Sequence, residues 1–141
     1  PEKMIRLGVR TIRELAAAGI FPGDLFCKNF GVTHSGRVVF YDYDEVALIT
    51  ALHFRDLVTA RDDVDELAAE PWYSVGPNDV FPAEWPTFLF APGRDRTIFM
   101  ERFPELTTAR WWVERQEDLR RGRVPDVLPY PVEERFGRDG R

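Results

Sequence analysis

Residues Phe21 to Glu45 read FPGDLFCKNFGVTHSGRVVFYDYDE, and this stretch narrows the fold more than any other. Pro22-Gly23 is a turn dipeptide that ends whatever precedes it. Leu25 to Asn29 and Phe30 to Val32 can each supply a short extended piece. Thr33-His34-Ser35-Gly36 reads as a hairpin loop. Arg37 to Tyr43 is rich in β-branched and aromatic residues and reads as the returning strand. The spacing therefore predicts a small β-hairpin. Asp24 stands before it, Asn29 at its start, and Asp42 and Asp44 at its exit. Carboxylates and an amide set among residues that favour burial need a reason to be there.

The flanks are helical. Ile5, Val9, Ile12, Leu15 and Ala16 share one face of a predicted helix over Glu2 to Ala18, and Gly19 follows as a stop. Val46 to Leu57 can hold a strand or a short helix. Pro71 to Pro82 reads as a loop. Pro82 suits the first helical position of a segment through Leu89. Thr97 to Phe103 reads as a short helix. A longer one, capped by Thr107 or Thr108, runs to Arg121 and stops at Gly122. Trp111, Trp112 and Leu119 help to bury it. Trp72, Tyr73 and Trp85 read as core anchors, and one of the adjacent Trp111 and Trp112 is free to lie at the surface. The expected class is α+β, mostly α, in a single domain over residues 1–141, with 133–141 a disordered tail.

Composition sets the outer limits. Hydrophobic residues make up 44% and charged residues 30%, as in soluble globular proteins. Four Trp and eleven Phe supply large groups for a modest core. The net charge of -5 argues against a nucleic-acid binder. No apolar run approaches the roughly 18 residues of a membrane helix. Cys27 is the single cysteine, which excludes an intrachain disulfide and suits a reducing cytoplasm. It reads as a buried structural thiol. The chain starts at Pro1, already in a helical pattern, which suggests a fragment or excised domain.

Asp24, Asn29 and Asp42 are spaced by five and then thirteen residues. That spacing suits phosphoryl transfer: one carboxylate accepts a hydroxyl proton, while the amide and the other carboxylate hold a metal on the phosphates. Hard oxygen donors favour Mg²⁺. Plainer roles are open to the same residues. Asp24 can close the Pro-Gly turn, Asn29 can satisfy a hairpin backbone, and Asp42 and Asp44 can form the solvated face of an edge strand. His34 reads as an exposed loop residue. His53 has no second His or Cys at ligand spacing. The acidic run Asp62 to Glu70 reads as a solvated face.

The pattern resembles the protein-kinase catalytic loop, D-x-x-x-x-N, followed by the D-F-G position. DLFCKN matches the first, and DYD stands for the second, with Tyr43 for Phe and Asp44 for Gly. Pro22-Gly23 replaces the usual His-Arg. Lys28 lies four residues after Asp24 rather than two, so no catalytic role passes to it. No glycine-rich phosphate loop and no V-A-I-K lysine occur in these residues. The longer text, LAAAGIFPGDLFCKNFGVTHSGRVVFYDYDE with EPWYSVGPNDVFP downstream, is similar to the isocitrate dehydrogenase kinase/phosphatase family of bacteria. The similarity covers roughly residues 10 to 85 well, and the helical tail through about Tyr130 more loosely.

The resemblance implies a piece of a longer, cytoplasmic, bifunctional enzyme. Such an enzyme phosphorylates and dephosphorylates a serine of isocitrate dehydrogenase and so divides carbon between the tricarboxylic acid cycle and the glyoxylate bypass. It implies the helical large lobe of a kinase-like fold, with the hairpin carrying the catalytic loop. A small lobe and an amino-terminal regulatory domain that binds AMP would lie outside this chain. Asp24 becomes the candidate base, Asn29 and Asp42 the candidate ligands of Mg²⁺ and ATP, and Asp44 a group that orients water for hydrolysis. A different class of function stays open: a non-catalytic lobe that docks isocitrate dehydrogenase or the missing lobe. On either reading the 141 residues alone are expected to turn over little or no substrate.

Overall fold

A computed structural model describes residues 2–23, 30–35, 38–40, 45–57 and 74–124. Helix α1 spans Glu2–Ala17 and buries Ile5, Val9, Ile12 and Ala16, the stripe that its periodicity predicts. Gly19 stops it with φ 82°, a conformation natural to glycine. The chain passes directly into β1, Ile20–Pro22. β2, Phe30–Val32, and β3, Val38–Phe40, form the predicted antiparallel hairpin, with Phe30 opposite Phe40 and Val32 opposite Val38. β4, Val46–Leu48, returns antiparallel to β1, with Pro22 opposite Val46. A 3-10 turn, Ile49–Ala51, leads to β5, His53–Phe54.

The second half is mainly helical. β6, Asp79–Val80, pairs parallel with β5. Pro82 opens a 3-10 turn over Pro82–Glu84 that runs into α2, Trp85–Leu89. α3 spans Arg94–Arg102, a further 3-10 turn spans Pro104–Thr107, and α4 spans Ala109–Arg120. α4 stops just before Gly122, φ 71°, as its sequence predicts. The described residues are thus mostly helical with small two-stranded sheets, an α+β arrangement. No described helix is long and apolar enough to cross a membrane.

The core is a cluster of rings. Phe21 of β1 lies 5.5 Å from Trp85 and 5.6 Å from both Phe54 and Trp112, centroid to centroid. Trp112 stacks on Phe54 at 5.1 Å and meets Trp85 edge-on at 4.6 Å. Such offset and edge contacts suit the ring quadrupoles. Trp112 is fully buried and donates its Nε1–H to the Leu106 carbonyl at 3.0 Å. Trp111, its neighbour, is half-buried at the edge of the cluster.

Three sequence expectations are corrected. Asp79–Val80 lies within the segment expected to be loop, because its pairing partner is 26 residues away and leaves no local trace. α3 begins at Arg94, three residues before the expected start, since Gly93 already accepts the Thr97 N–H. Thr108 occupies the N-cap of α4, yet its hydroxyl donates to the Glu105 carbonyl. The cap is instead Asp56, whose carboxylate accepts the Ala109 N–H at 2.9 Å.

Candidate functional site

Asp24, Asn29, Asp42 and Asp44 all lie outside the described residues, as do Cys27, Lys28, Trp72, Tyr73 and the tail 133–141. The residues that border the four are described, and they are brought together in pairs. Gly23 sits at the end of β1, against Glu45 at the start of β4. A Cβ added at Gly23 would overlap the Glu45 carbonyl oxygen, so the two backbones approach as only glycine permits. Phe30, next after Asn29, is the Cα partner of Phe40, two residues before Asp42.

These borders are tied to the core. Phe21 and Pro22 are buried, which fixes the strand that leads to Gly23. The Ile49 N–H donates to the Gly19 carbonyl at 2.8 Å and extends the β1–β4 connection past its ladder. Gln116 of α4 is buried and donates through Nε2 to the carbonyls of Ile49 at 2.7 Å and Leu52 at 2.8 Å. It satisfies two acceptors that the 3-10 turn leaves without strand partners.

A second polar cluster sits where β5 meets β6. Asp79 receives the Gly76 N–H at 2.9 Å and the Arg55 guanidinium at 2.7 Å, and its other oxygen lies 2.9 Å from His53 Nδ1. Arg55 also donates to the Ser74 carbonyl at 2.8 Å and covers the Phe81 ring. The Gly76 N–H above all, and then Arg55 and His53, hold the Asp79 carboxyl down at about 2. The sequence names none of this, because every side-chain partner of Asp79 is more than twenty residues distant. His34 is exposed in the hairpin turn, as expected. Among the described residues no three His, Cys, Asp or Glu side chains gather as they would around a metal ion.

Comparison with known proteins bears out the family resemblance of the sequence. The family model described as the isocitrate dehydrogenase kinase/phosphatase (AceK) kinase domain matches residues 3–132. An isocitrate dehydrogenase kinase/phosphatase of Aromatoleum aromaticum is 50% identical over 135 residues, which are 96% of this chain and 23% of that protein. One of Pectobacterium carotovorum is 53% identical over 125 residues, 89% of this chain and 21% of that protein. The chain thus spans under a quarter of the length of these relatives. With the match covering nearly all of its residues, the chain belongs to the isocitrate dehydrogenase kinase/phosphatase family and lies within that family's kinase domain.

Proposed function

We propose that this chain carries the reactive acid–amide–acid set of a bifunctional protein-serine kinase and phosphatase that acts on isocitrate dehydrogenase. Its fold would be the helical large lobe of a kinase-like domain, and its setting the bacterial cytoplasm. The observation that carries the reading is the pairing of the borders. Gly23 against Glu45 joins the chain before Asp24 to the chain after Asp44, and Phe30 opposite Phe40 does the same for Asn29 and Asp42. The described residues that flank the four, spread over 21 positions, thus meet in two pairs, which supports the reading.

In the forward direction Asp24 accepts the proton of the serine hydroxyl as it attacks the γ-phosphoryl group of ATP. Asn29 and Asp42 offer an amide oxygen and a carboxylate, a donor set that fits Mg²⁺. When bound, the ion neutralises charge that develops on the phosphates. In the reverse direction Asp44 orients a water toward the phosphoserine. Successive side chains of an extended segment alternate in direction, so residues 42 and 44 would face the same side. AMP would act on the part of the polypeptide outside this chain.

The test uses the full-length protein. Asp24→Ala should lower phosphate incorporation into isocitrate dehydrogenase by about 10²–10⁴-fold, the range of a general base. Asp44→Ala should abolish hydrolysis of the phosphorylated substrate while leaving incorporation within about threefold of wild type, because only the base contributes that factor to the forward step. Wild-type incorporation in Asp24→Ala, or wild-type hydrolysis in Asp44→Ala, would remove the corresponding assignment.

A further inference from the structure

Beside the stripe that it buries, α1 carries Arg6, Arg10 and Arg13, spaced four and then three residues apart, so they follow one another along the helix surface. With Arg102 of α3 they line a groove of about 680 Å³ floored by Val9, Ala17 and Phe103. A second groove of about 340 Å³ shares Arg13 and Ala17 with the first and passes Trp111, Arg115, Leu119 and Arg123 of α4 and its end. Among the described residues six arginines and three carboxylates line the pair, on a chain whose net charge is -5. Among the described residues no lysine lines either groove.

The arginines are held in place but not fully used. Arg6 pairs with Glu2 and Arg10 with Glu14, each at 2.8 Å, Arg13 pairs with Glu105, and Arg115 and Arg123 share Asp118 at 2.9 and 2.7 Å. Arg102 makes no hydrogen bond or ion pair among the described residues. The buried Nε of Arg115 has no hydrogen-bond partner among them either. Arg13 lies over the ring of Phe103 at 5.6 Å and Arg115 over that of Trp111 at 5.2 Å. Arginine stacked on half-buried aromatic rings is the composition of a protein interface, where lysine is depleted.

We propose that this groove seats an acidic segment bearing apolar side chains, supplied by the part of the family's polypeptide that lies outside the present chain. The charge surplus selects an acidic occupant, and the floor of rings and aliphatic groups selects one with apolar anchors. The same polypeptide is the source for two reasons. Residues matching this chain fill only 21–23% of the relatives, so a covering segment is at hand. Moreover, each arginine already shares a carboxylate or lies in solvent, so its pull on a free partner is weak. A tethered segment compensates through effective concentration. The proposal rests on family membership and not on the reaction, so a catalytically dead protein can still support it.

The experiment places a benzoylphenylalanine photocrosslinker at Arg10, which is 76% exposed, in the full-length protein. The purified protein is irradiated alone and with isocitrate dehydrogenase, and crosslinked peptides are read by mass spectrometry. The expected product is an intramolecular link to a peptide outside this chain in which Asp and Glu outnumber Lys and Arg. Arg6→Glu with Arg102→Glu should lower its yield about tenfold, as expected for reversing charges at a complementary contact, with the circular dichroism unchanged. The proposal is overturned by a link to isocitrate dehydrogenase or to a second copy instead. It is equally overturned by no link, by a peptide without acidic surplus, or by a yield indifferent to the charge reversal.

Discussion

Gly23 shows how much one hydrogen atom in place of a methyl group can matter. Its backbone lies so close to the Glu45 carbonyl that Gly23→Ala must push β1 and β4 apart. Overpacking of this kind destabilises by about 1–3 kcal/mol. Urea unfolding should show a loss in that range, and both phosphorylation and dephosphorylation should fall together, because the chain that leads to Asp24 and the chain that leaves Asp44 are displaced at once. Asp79 matters through its charge. Its carboxyl is depressed from 3.8 to about 2, chiefly by the Gly76 N–H, so folding favours the ionised form. That contribution is complete above pH 4 and disappears as the pH falls through about 2. The urea midpoint of the wild type should therefore drop between pH 4 and pH 2. In Asp79→Asn it should start lower and change less over the same interval.

Between elements, a few long side chains replace extended ladders. Gln116 fastens α4 to the turn after β4 through two carbonyls. Gln116→Leu keeps much of the volume but strips the Leu52 carbonyl of its Gln116 donor and leaves the Ile49 carbonyl with only the Leu52 N–H, which should lower the unfolding free energy by about 1–3 kcal/mol in chemical denaturation. The elements themselves were legible where the signal is local. The stripe of α1, the Gly19 and Gly122 stops and the hairpin around Thr33–Ser35 all follow from spacing and turn chemistry. The ties between elements were not legible. Asp56 capping α4 spans 53 residues, Gln116 to Ile49 spans 67, and no periodicity encodes such pairs. The candidate site was read from Asp24, Asn29, Asp42 and Asp44 and the text around them. What the fold adds is that their neighbours meet.

For the molecule as a whole, the ring cluster unites segments that are distant in sequence. Phe21, Phe54, Trp85 and Trp112 come from β1, β5, α2 and α4. Loss of one member is felt by all of these elements. Trp112→Ala should destabilise the fold by about 3–5 kcal/mol. In hydrogen exchange the amides of α1, β1 and α4 should lose protection together rather than one element at a time. A separate loosening of α4 alone would show that the cluster is not one cooperative unit.

Two peptide units separate the buried ring of Phe21 from Gly23, and that span has almost no slack. A change of a single methylene among the aromatic residues has nowhere to be absorbed before it reaches the turn that leads to Asp24. Substitution in the hydrophobic interior therefore has a direct mechanical route to Gly23, the residue before Asp24. On the proposed function, the level of activity would be adjustable from positions that never meet a substrate.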